Sequence, residues 1–405
     1  MNPVIFHIDV NSAYLSWTAL ERLADGDPVD LRAIPSIIGG DMEKRHGVVL
    51  AKSIPAKKYG VRTGEPVVSA MRKCPSLVMA PPDHALYARR SAELMAYLSD
   101  VCPDIEQVSV DECYMDFAPI ADHYPSPRAC ADMLREGILK TFGFTVNIGI
   151  SDRKVLAKMA SDFKKPNLTH TLFVSEIKEK MWPLPVSSLY MCGKSSAEAL
   201  RKLEILTIGD LACADPTILE AHLKSHGRLL WEYANGVDRS PVLSEPVKAK
   251  GIGNSITLSQ DAVTTQAART VLLSLAESVA SRLRAEGQRA LLEGIEIKYA
   301  DFQTISHQTT FSAPVDSGKV IYETACALFD EIWNHAPVRL LGIRTSRLVP
   351  ASEPTQLSLF DLQQPEISEK QRRLDEAIDT IRSRFGTNAV VRGSLLGREN
   401  EFKKH

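Results

Sequence analysis

The sequence lacks the features that define several protein classes. Its seven cysteines are scattered, and no two of them form a Cys-x-x-Cys pair, which predicts a reducing compartment with neither a disulfide framework nor a cysteine zinc site. No apolar run approaches the ~18 residues needed to cross a membrane, and residues 1–10 lack the basic region and long apolar core of a signal peptide. A cytoplasmic protein without a membrane contact is therefore expected.

Neither sign of charge is in excess. The net charge is -2 at pH 7, from 48 Lys and Arg against 50 Asp and Glu. This sum argues against a protein coated in basic surface, although it is compatible with a basic channel balanced by acids elsewhere. The 405 residues exceed the size of one ordinary core, so two to four domains are expected.

The most informative stretch carries two adjacent acids, Asp111 and Glu112. Apolar residues alternate on both sides of them, which predicts two short strands joined by a turn. A third acid, Asp9, follows a first predicted strand over 3–8. Three carboxylates at strand ends suit a pair of hard divalent cations that hold phosphate oxygens, although an Asp-Glu pair in a turn is more often merely solvated.

The order of the predicted elements brings these acids together. The elements after the first strand are, in order, a helix over 12–23, a helix over 83–101, the acidic strand-turn-strand, a helix over 127–142 and a strand over 144–151. This order matches a split βαβ sheet with a long insertion after its first strand, so that Asp9 lies on a strand beside Asp111 and Glu112. Asn11 or Ser12 is expected to cap the first helix.

Basic residues cluster in two further places. Lysines at 52, 57 and 58 and an arginine at 62 follow a short predicted strand, and they form either a solvated helix face or a clamp on a triphosphate. A helix over 154–163 runs into Lys164 and Lys165. Lysines at the C-terminus of a helix are often only partners of the helix dipole.

The second half of the chain predicts two modules suited to nucleic acid. Residues 184–215 resemble a helix-hairpin-helix, which presents backbone N–H groups to DNA phosphates. Residues 248–348 predict β-α-β-β-α-β, a second split βαβ unit, whose open sheet face either contacts a duplex or is simply solvated. In the tail, an apolar cluster at 356–362 is a candidate to dock in a partner's groove, and a charged amphipathic helix over 368–385 follows it.

Taken together, these residues resemble the Y-family translesion DNA polymerases, most closely the bacterial DinB, or DNA polymerase IV, group. The resemblance covers the whole chain in order. Its motifs are His7-Ile8-Asp9, Ser109 to Asp116, Asn147 to Ser151, Lys165-Pro166-Asn167, Leu340 to Arg344 and Gln356 to Phe360.

The resemblance implies an α+β multidomain fold shaped as a right hand. Its implied parts are a split-βαβ palm (1–11 and 76–167), small fingers (12–75), a helical thumb with a helix-hairpin-helix (168–240), a β-α-β-β-α-β little finger (247–349) and a C-terminal tail with a clamp-binding peptide (350–405). The implied activity is template-directed, error-prone addition of deoxynucleotides to a primer 3′ end by two-metal phosphoryl transfer, without proofreading, in DNA damage tolerance.

The resemblance also implies roles for single residues. Asp9, Asp111 and Glu112 are implied to be the catalytic, metal-binding carboxylates, and the backbone carbonyl of Val10 a further ligand of two Mg²⁺ ions. Tyr14 occupies the position of an aromatic steric gate against ribonucleotides. The other implied contacts are Ala13, Lys57 and Lys165 with the nucleotide, and Gln356, Leu357, Leu359 and Phe360 with the bacterial sliding clamp. Primer-template DNA, deoxynucleoside triphosphates and the clamp are the implied partners, and a monomer is expected.

Three positions depart from the pattern of the family. Ile54 and Lys57 stand where the usual triphosphate motif has tyrosine and arginine, and Asn11 stands where many members have aspartate. Ile54 cannot hydrogen-bond a phosphate, and Lys57 lacks the planar two-pronged contact of arginine. Because all three palm acids are kept, an active enzyme with altered nucleotide binding is expected.

Two other interpretations use parts of the same pattern. A nucleotide cyclase also places two-metal carboxylates on a split βαβ palm, but it needs neither the second βαβ unit nor a clamp-like peptide. A non-catalytic DNA-binding paralogue would lose palm carboxylates, whereas this chain keeps all three. Primer extension distinguishes a polymerase from both.

Overall fold

The chain folds into two compact units, one formed by residues 1–40 and 48–247 and the other by residues 41–47 and 248–405. The structure is a computed structural model that describes residues 3–41, 47–245, 248–353, 369–386 and 389–393. Within these ranges no helix is both long and apolar enough to cross a bilayer. The predicted clamp-binding residues Gln356, Leu357, Leu359 and Phe360 lie outside the described residues.

The first unit opens with a strand, a helix and a small second sheet. The elements of this part are β1 (Ile5–Val10), α1 (Ala13–Ala24), β2 (Ser36–Gly39), β3 (Val49–Lys52), α2 (Ile54–Lys58), α3 (Val67–Lys73) and β4 (Val78–Ala80). The small sheet has the order β3-β2-β4 and a core of its own. Strands β2 and β3 lie within the segment predicted as fingers (12–75), whereas β4 lies just beyond it, in the segment predicted as palm.

The chain then returns to the sheet that contains β1. The next elements are α4 (His84–Val101), β5 (Ile105–Gln107), β6 (Glu112–Asp116), α5 (Pro127–Phe142), β7 (Val146–Ser151), α6 (Lys154–Ser161) and β8 (Thr169–Thr171). The sheet order is β5-β6-β1-β7-β8. Since β1 is the central strand and all six of its residues are buried, its continuous apolar run is explained by helices that cover both of its faces.

Helix α6 lies unusually close to strand β7. A Cβ atom at Gly149 would stand 2.0 Å from the backbone carbonyl oxygen of Ala157 and 2.5 Å from the backbone nitrogen of Ser161. No side chain fits in that space, so residue 149 has to be glycine for the helix to pack at this distance.

The rest of the first unit is helical. It consists of α7 (Ile177–Lys180), α8 (Lys194–Arg201), α9 (Ile208–Cys213), α10 (Pro216–Leu223) and α11 (Ser225–Ala234). These helices share a core with Val155, Leu156 and Met159 of α6. The turn between α8 and α9 ends in a capping box, in which Thr207 and Asp210 bond each other's backbone N–H groups.

The second unit has the predicted order β-α-β-β-α-β. It consists of β9 (Gly251–Ala262), α12 (Thr265–Ala285), β10 (Gln288–Tyr299), β11 (Thr304–Val315), α13 (Gly318–Ile332), β12 (Val338–Pro350) and α14 (Glu369–Phe385). The antiparallel sheet has the order β11-β10-β12-β9, and α12 and α13 contribute to its core. Helix α14 lies against α12, since Asp379 accepts hydrogen bonds from Ser281 and Arg284 at 3.0 and 2.6 Å.

Two local predictions in the first unit were wrong. Strand β1 continues to Val10, so Asp9 lies inside the strand and not just after it. Ser12 has a left-handed backbone (φ 50°) and its side chain makes no capping hydrogen bond to α1. Asn11 does not cap the helix through its side chain because that side chain is bonded to Asn147, Thr145 and Asn167 instead.

Candidate active site

Strand pairing sets two of the three predicted metal-binding acids side by side. In the antiparallel ladder between β1 and β6, Asp9 is the partner of Glu112, and in the ladder on the other side Asp9 is the partner of Asn147. The backbone N–H of Val10 donates to the backbone carbonyl of Asp111 at 3.0 Å. Acids about a hundred residues apart in the chain therefore share one row of the sheet.

Asp9 is buried between two lysines. The residue is 8% exposed, and its carboxylate accepts from Lys165 Nζ at 2.7 Å and lies 3.5 Å from Lys158 Nζ. Burial raises the pKa of Asp9, the Lys165 charge lowers it, and the neighbouring Glu112 raises it again, so that the pKa stands at about 6. Because Asp9 is shielded from solvent, it needs a cation beside it to stay ionised.

Glu112 is held by Lys158 and faces a histidine. Lys158 Nζ donates to Glu112 Oε1 at 2.5 Å. Burial works to lower the pKa of Lys158, but Asp9, Glu112 and Asp162 raise it above the ordinary lysine value. His7 Nδ1 lies 2.8 Å from Ser161 Oγ, and His7 Nε2 lies 3.9 Å from Glu112 Oε2. Burial, followed by the two lysine charges, lowers the pKa of His7 well below its usual range, so the ring is neutral.

The third acid is oriented separately. Asp111 lies in the turn before β6, and its carboxylate accepts from Ser109 Oγ at 2.7 Å. Among the described residues, no group of three or more His, Cys, Asp and Glu side chains is arranged to hold a metal ion. The structure thus brings Asp9 and Glu112 together directly, and Asp111 next to them through the backbone.

The donor chemistry of this row fits a hard divalent cation. The three acids of this row offer oxygens only, from two carboxylates on paired strands and a third in the adjoining turn, which is the ligand type preferred by Mg²⁺. The buried carboxylate of Asp9 is already matched by positive charge. The three acids outnumber the two lysines, so the site keeps an excess of negative charge that favours a bound cation.

Asn11 ties the lysine-bearing loop to the end of β1. Its Oδ1 accepts from the backbone N–H of Asn167 and from Thr145 Oγ1, both at 2.9 Å. Its Nδ2 donates to Asn147 Oδ1 at 3.3 Å, and Asn147 in turn donates to the backbone carbonyl of Lys164 at 2.9 Å. The departure from aspartate at residue 11 therefore supplies an amide that both donates and accepts.

Tyr14 lies on the first turn of α1 with its ring fixed. The ring stacks on Tyr87, with centroids 4.2 Å apart and planes 7° apart, and His84 packs edge-on against it. Burial, with Asp111 nearby, raises the pKa of the Tyr14 hydroxyl. The neighbouring Ala13 is 3% exposed. A rigid aromatic ring beside the acids is what a steric gate requires.

The basic segment starts with a capped helix. Ser53 Oγ accepts from the backbone N–H of Ala56 at 3.1 Å, so α2 begins at Ile54, whose side chain is exposed. Burial and the neighbouring Lys57 lower the pKa of Lys52. Two lysines this close to each other form a place where an anion would be stabilised.

One cavity of about 700 Å³ gathers most of these residues. This volume lies within the range of small-molecule and cofactor sites. The predicted residues that line it are Asp9, Val10, Ala13, Tyr14, Lys57, Asp111 and Lys165. Glu112 does not line the cavity, but it lies next to it as the cross-strand partner of Asp9. Lys52, Arg32 and Thr63 line the cavity as well.

Sequence reasoning missed Lys158, His7 and the bonds of Asn11. Lys158 carried a usable signal, since it stands in a helix whose other residues are almost all apolar or small. A lysine in such a helix is buried and needs an acid. His7 belonged to a recognised motif, but nothing in the sequence shows that its ring faces Glu112.

Comparisons with known proteins agree over nearly the whole chain. Residues 8–162 match the impB/mucB/samB family, and residues 249–359 match the C-terminal domain of that family. The proteins called DNA polymerase IV from Clostridium acetobutylicum and Acetivibrio thermocellus are 43% and 36% identical to it, and the matches cover 99% and 98% of this chain and 100% and 98% of the relatives. DNA polymerase IV 1 of Bacillus subtilis is 36% identical over 99% of this chain and 95% of that protein.

The fold also matches a solved structure. A Y-family DNA polymerase chimera, Dbh-Dpo4(243-245)-Dbh, superposes with a TM-score of 0.73 over 86% of this chain and 99% of that chain. The two sequences are 20% identical, so this likeness concerns the fold. Together with the family match and the full-length relatives, it leads to one conclusion: the chain belongs to the impB/mucB/samB family of Y-family translesion DNA polymerases.

Proposed function

We propose that the chain is a DNA-directed DNA polymerase that adds deoxynucleotides to a primer 3′ end in error-prone translesion synthesis, without proofreading. The observation that carries the proposal is the register of β1 and β6, which sets the buried Asp9 opposite Glu112 beside a cavity of about 700 Å³. Full-length relatives named DNA polymerase IV support it.

Enzymes of this family depend on divalent metal. Two Mg²⁺ ions held by Asp9, Asp111, Glu112 and the carbonyl of Val10 would lower the pKa of the primer hydroxyl and stabilise the charge that develops on the triphosphate. The chain itself supplies position and charge and does no covalent chemistry. The hydroxyl oxygen attacks the α-phosphorus, and pyrophosphate leaves.

The nucleotide would lie in the cavity with its phosphates near the lysines. Lys165, already within reach of Asp9, is suited to bind the triphosphate from the palm side, and Lys57 and Lys52 from the side of α2. Ile54 contributes no hydrogen bond there. The ring of Tyr14 would close the space beside the sugar and exclude a 2′-hydroxyl.

DNA would be held through its phosphates, since base pairing supplies the sequence information. The α8–α9 hairpin and the open sheet face of the second unit are suited to these contacts. With a net charge of -2, we expect modest unaided affinity that falls steeply with salt. Docking of residues 356–360 on the bacterial sliding clamp would offset this by raising the local concentration. We place the enzyme in the cytoplasm as a monomer.

The test is primer extension on a primed template. Wild type is expected to extend the primer in the presence of Mg²⁺, and the double variant Asp111→Ala, Glu112→Ala to lose extension by ~1,000-fold or more while it keeps its affinity for primed DNA. Asp116→Asn, at the other end of β6, is the matched control and is expected to extend normally. Extension that survives the double change would refute the metal site, and cyclic-nucleotide production by wild type would favour a cyclase.

A further inference from the structure

Helix α6 contains a buried lysine at its centre. All eight residues of the helix are buried, and Lys158 is 8% exposed. A charged amine in such surroundings is unstable unless acids compensate it. Lys158 was not among the residues that the sequence assigns to the site.

The compensating acids are the two that share a row of the sheet. Lys158 Nζ lies 2.5 Å from Glu112 Oε1 and 3.5 Å from Asp9 Oδ2. Asp162, on the next turn of the chain, lies 3.4 Å away. The amine therefore bridges the two strands that carry the acids, from a third element.

Lys165 contacts Asp9 in a different way. Its side chain is one-third exposed, and its Nζ lies 2.7 Å from Asp9 Oδ1 and 2.9 Å from Asp162 Oδ1. It comes from a loop and is partly exposed to solvent, so it has more room to turn towards a ligand than a lysine in a packed helix. Lys158 comes from a packed helix and has no comparable freedom.

We propose that Lys158 is a positioning residue of the active site, a fixed internal cation that holds Asp9 and Glu112 together and competes with divalent ions for the same carboxylate oxygens. The inference rests on the proposed metal site. Before an ion arrives, the amine prevents the buried carboxylate of Asp9 and the half-buried carboxylate of Glu112 from repelling each other. When an ion binds, Glu112 has to share or exchange the oxygen that the amine holds.

Replacement of Lys158 by methionine therefore strengthens metal binding. The variant leaves Asp9 and Glu112 without their internal cation and removes a positive charge from the immediate neighbourhood of the ion. Because the Lys158 amine lies within 2.5 to 3.5 Å of the oxygens that would bind the ion, we expect the half-saturating concentration of Mn²⁺ to fall by about tenfold in the variant. A role in stability alone would lower the melting temperature without moving that concentration.

Lys154 provides a matched control on the same helix. It is 9% exposed, and its Nζ is paired with Glu106 at 2.6 Å, one helical turn before Lys158 and away from the three acids. Lys154→Met therefore removes a lysine of nearly equal burial and an ion pair of nearly equal length, 2.6 Å against 2.5 Å. It is expected to destabilise the protein and to leave Mn²⁺ affinity as in wild type.

The experiment measures Mn²⁺ binding to the full chain without DNA, by electron paramagnetic resonance, for wild type, Lys158→Met, Lys158→Arg and Lys154→Met. Tighter binding by Lys158→Met alone supports the inference, with Lys158→Arg close to wild type. Unchanged or weaker binding by Lys158→Met overturns it. If that variant does not fold, Lys158→Gln, which keeps a donor for Glu112 but no charge, is held to the same two outcomes.

Failure of the metal site itself is recognised separately. Wild type should bind Mn²⁺, and the double variant Asp111→Ala, Glu112→Ala should not. If both bind alike, the proposed metal site is wrong, whatever Lys158 does. If they differ and Lys158→Met behaves as wild type, only the role of Lys158 is wrong.

Discussion

Glu293 is a buried acid without a hydrogen-bond partner among the residues that the structure describes, and its replacement by glutamine should stabilise the second unit at neutral pH. It lies on β10 with its side chain on the core side of the sheet, is 0% exposed, and neither of its carboxyl oxygens accepts a hydrogen bond from the described residues. Burial raises the pKa of Glu293 from 4.5 to about 9. The side chain is therefore protonated at neutral pH. Glu293→Gln removes the ionisation and keeps the shape.

The size of the effect follows from the pKa difference. Because the folded protein holds this proton more tightly than the unfolded chain, the contribution of Glu293 to stability is complete below pH 4.5 and is lost as the pH rises towards 9. Each pH unit in that window lowers the free energy of unfolding by about 1.4 kcal/mol. Relative to its value below pH 4.5, the free energy of unfolding is lower by about 3 kcal/mol at pH 7 and by about 6 kcal/mol above pH 9.

The assay compares wild type with Glu293→Gln across this window. Hydrogen-exchange mass spectrometry of β10 and β12 peptides in increasing urea reports the unfolding free energy of the second unit alone. The difference in unfolding free energy between the variant and wild type should shift by about 3 kcal/mol in favour of the variant as the pH rises from 4.5 to 7. Glu296→Gln, on the exposed side of the same strand, is the control. Its unfolding free energy should change with pH in the same way as that of wild type. Parallel curves for Glu293→Gln as well would show that the carboxyl is not buried without a partner.

Two further predictions concern the nucleotide and the clamp. Tyr14→Ala should admit ribonucleotides in single-nucleotide extension assays and lower stability by about 1 kcal/mol through the lost stack on Tyr87. Tyr14→Phe keeps the ring and should discriminate against ribonucleotides as wild type does. Unchanged sugar selection by Tyr14→Ala would contradict the steric-gate role. Replacement of Leu359 and Phe360 by alanine should abolish the stimulation of synthesis by a bacterial sliding clamp and leave clamp-free extension intact, and stimulation equal to that of wild type would show that the peptide does not dock there.

Elements with strong local signals could be predicted almost to the residue. Helix α5 runs from Pro127 to Phe142 as expected, because Ser126 caps it, proline opens it and Gly143 ends it with a positive φ. The strands of the second unit were predicted in the right order but too short. β9, predicted over 255–258, runs from Gly251 to Ala262, because its pairing with β12 reaches back to Gly251 and, past an irregularity after Thr257, includes Ala262.

The candidate site was predictable as a set of residues but not as an arrangement. Spacing and resemblance singled out Asp9, Asp111 and Glu112, yet the sequence has no signal for which of them would be direct partners across the sheet. The strand register decided this. Lys158 received no role from the sequence, and its long-range partners become visible only when α6 is placed on the sheet.

Glycine 149 has no functional group, yet it controls an electrostatic contact. The missing side chain lets α6 approach β7 until backbone atoms of the helix occupy the place of a Cβ atom, and the same approach brings the amine of Lys158 within reach of Glu112 and Asp9. An alanine at residue 149 would push the helix outward and lengthen both contacts at once. The pairing of Lys158 with these two acids thus depends on the absence of a side chain at residue 149.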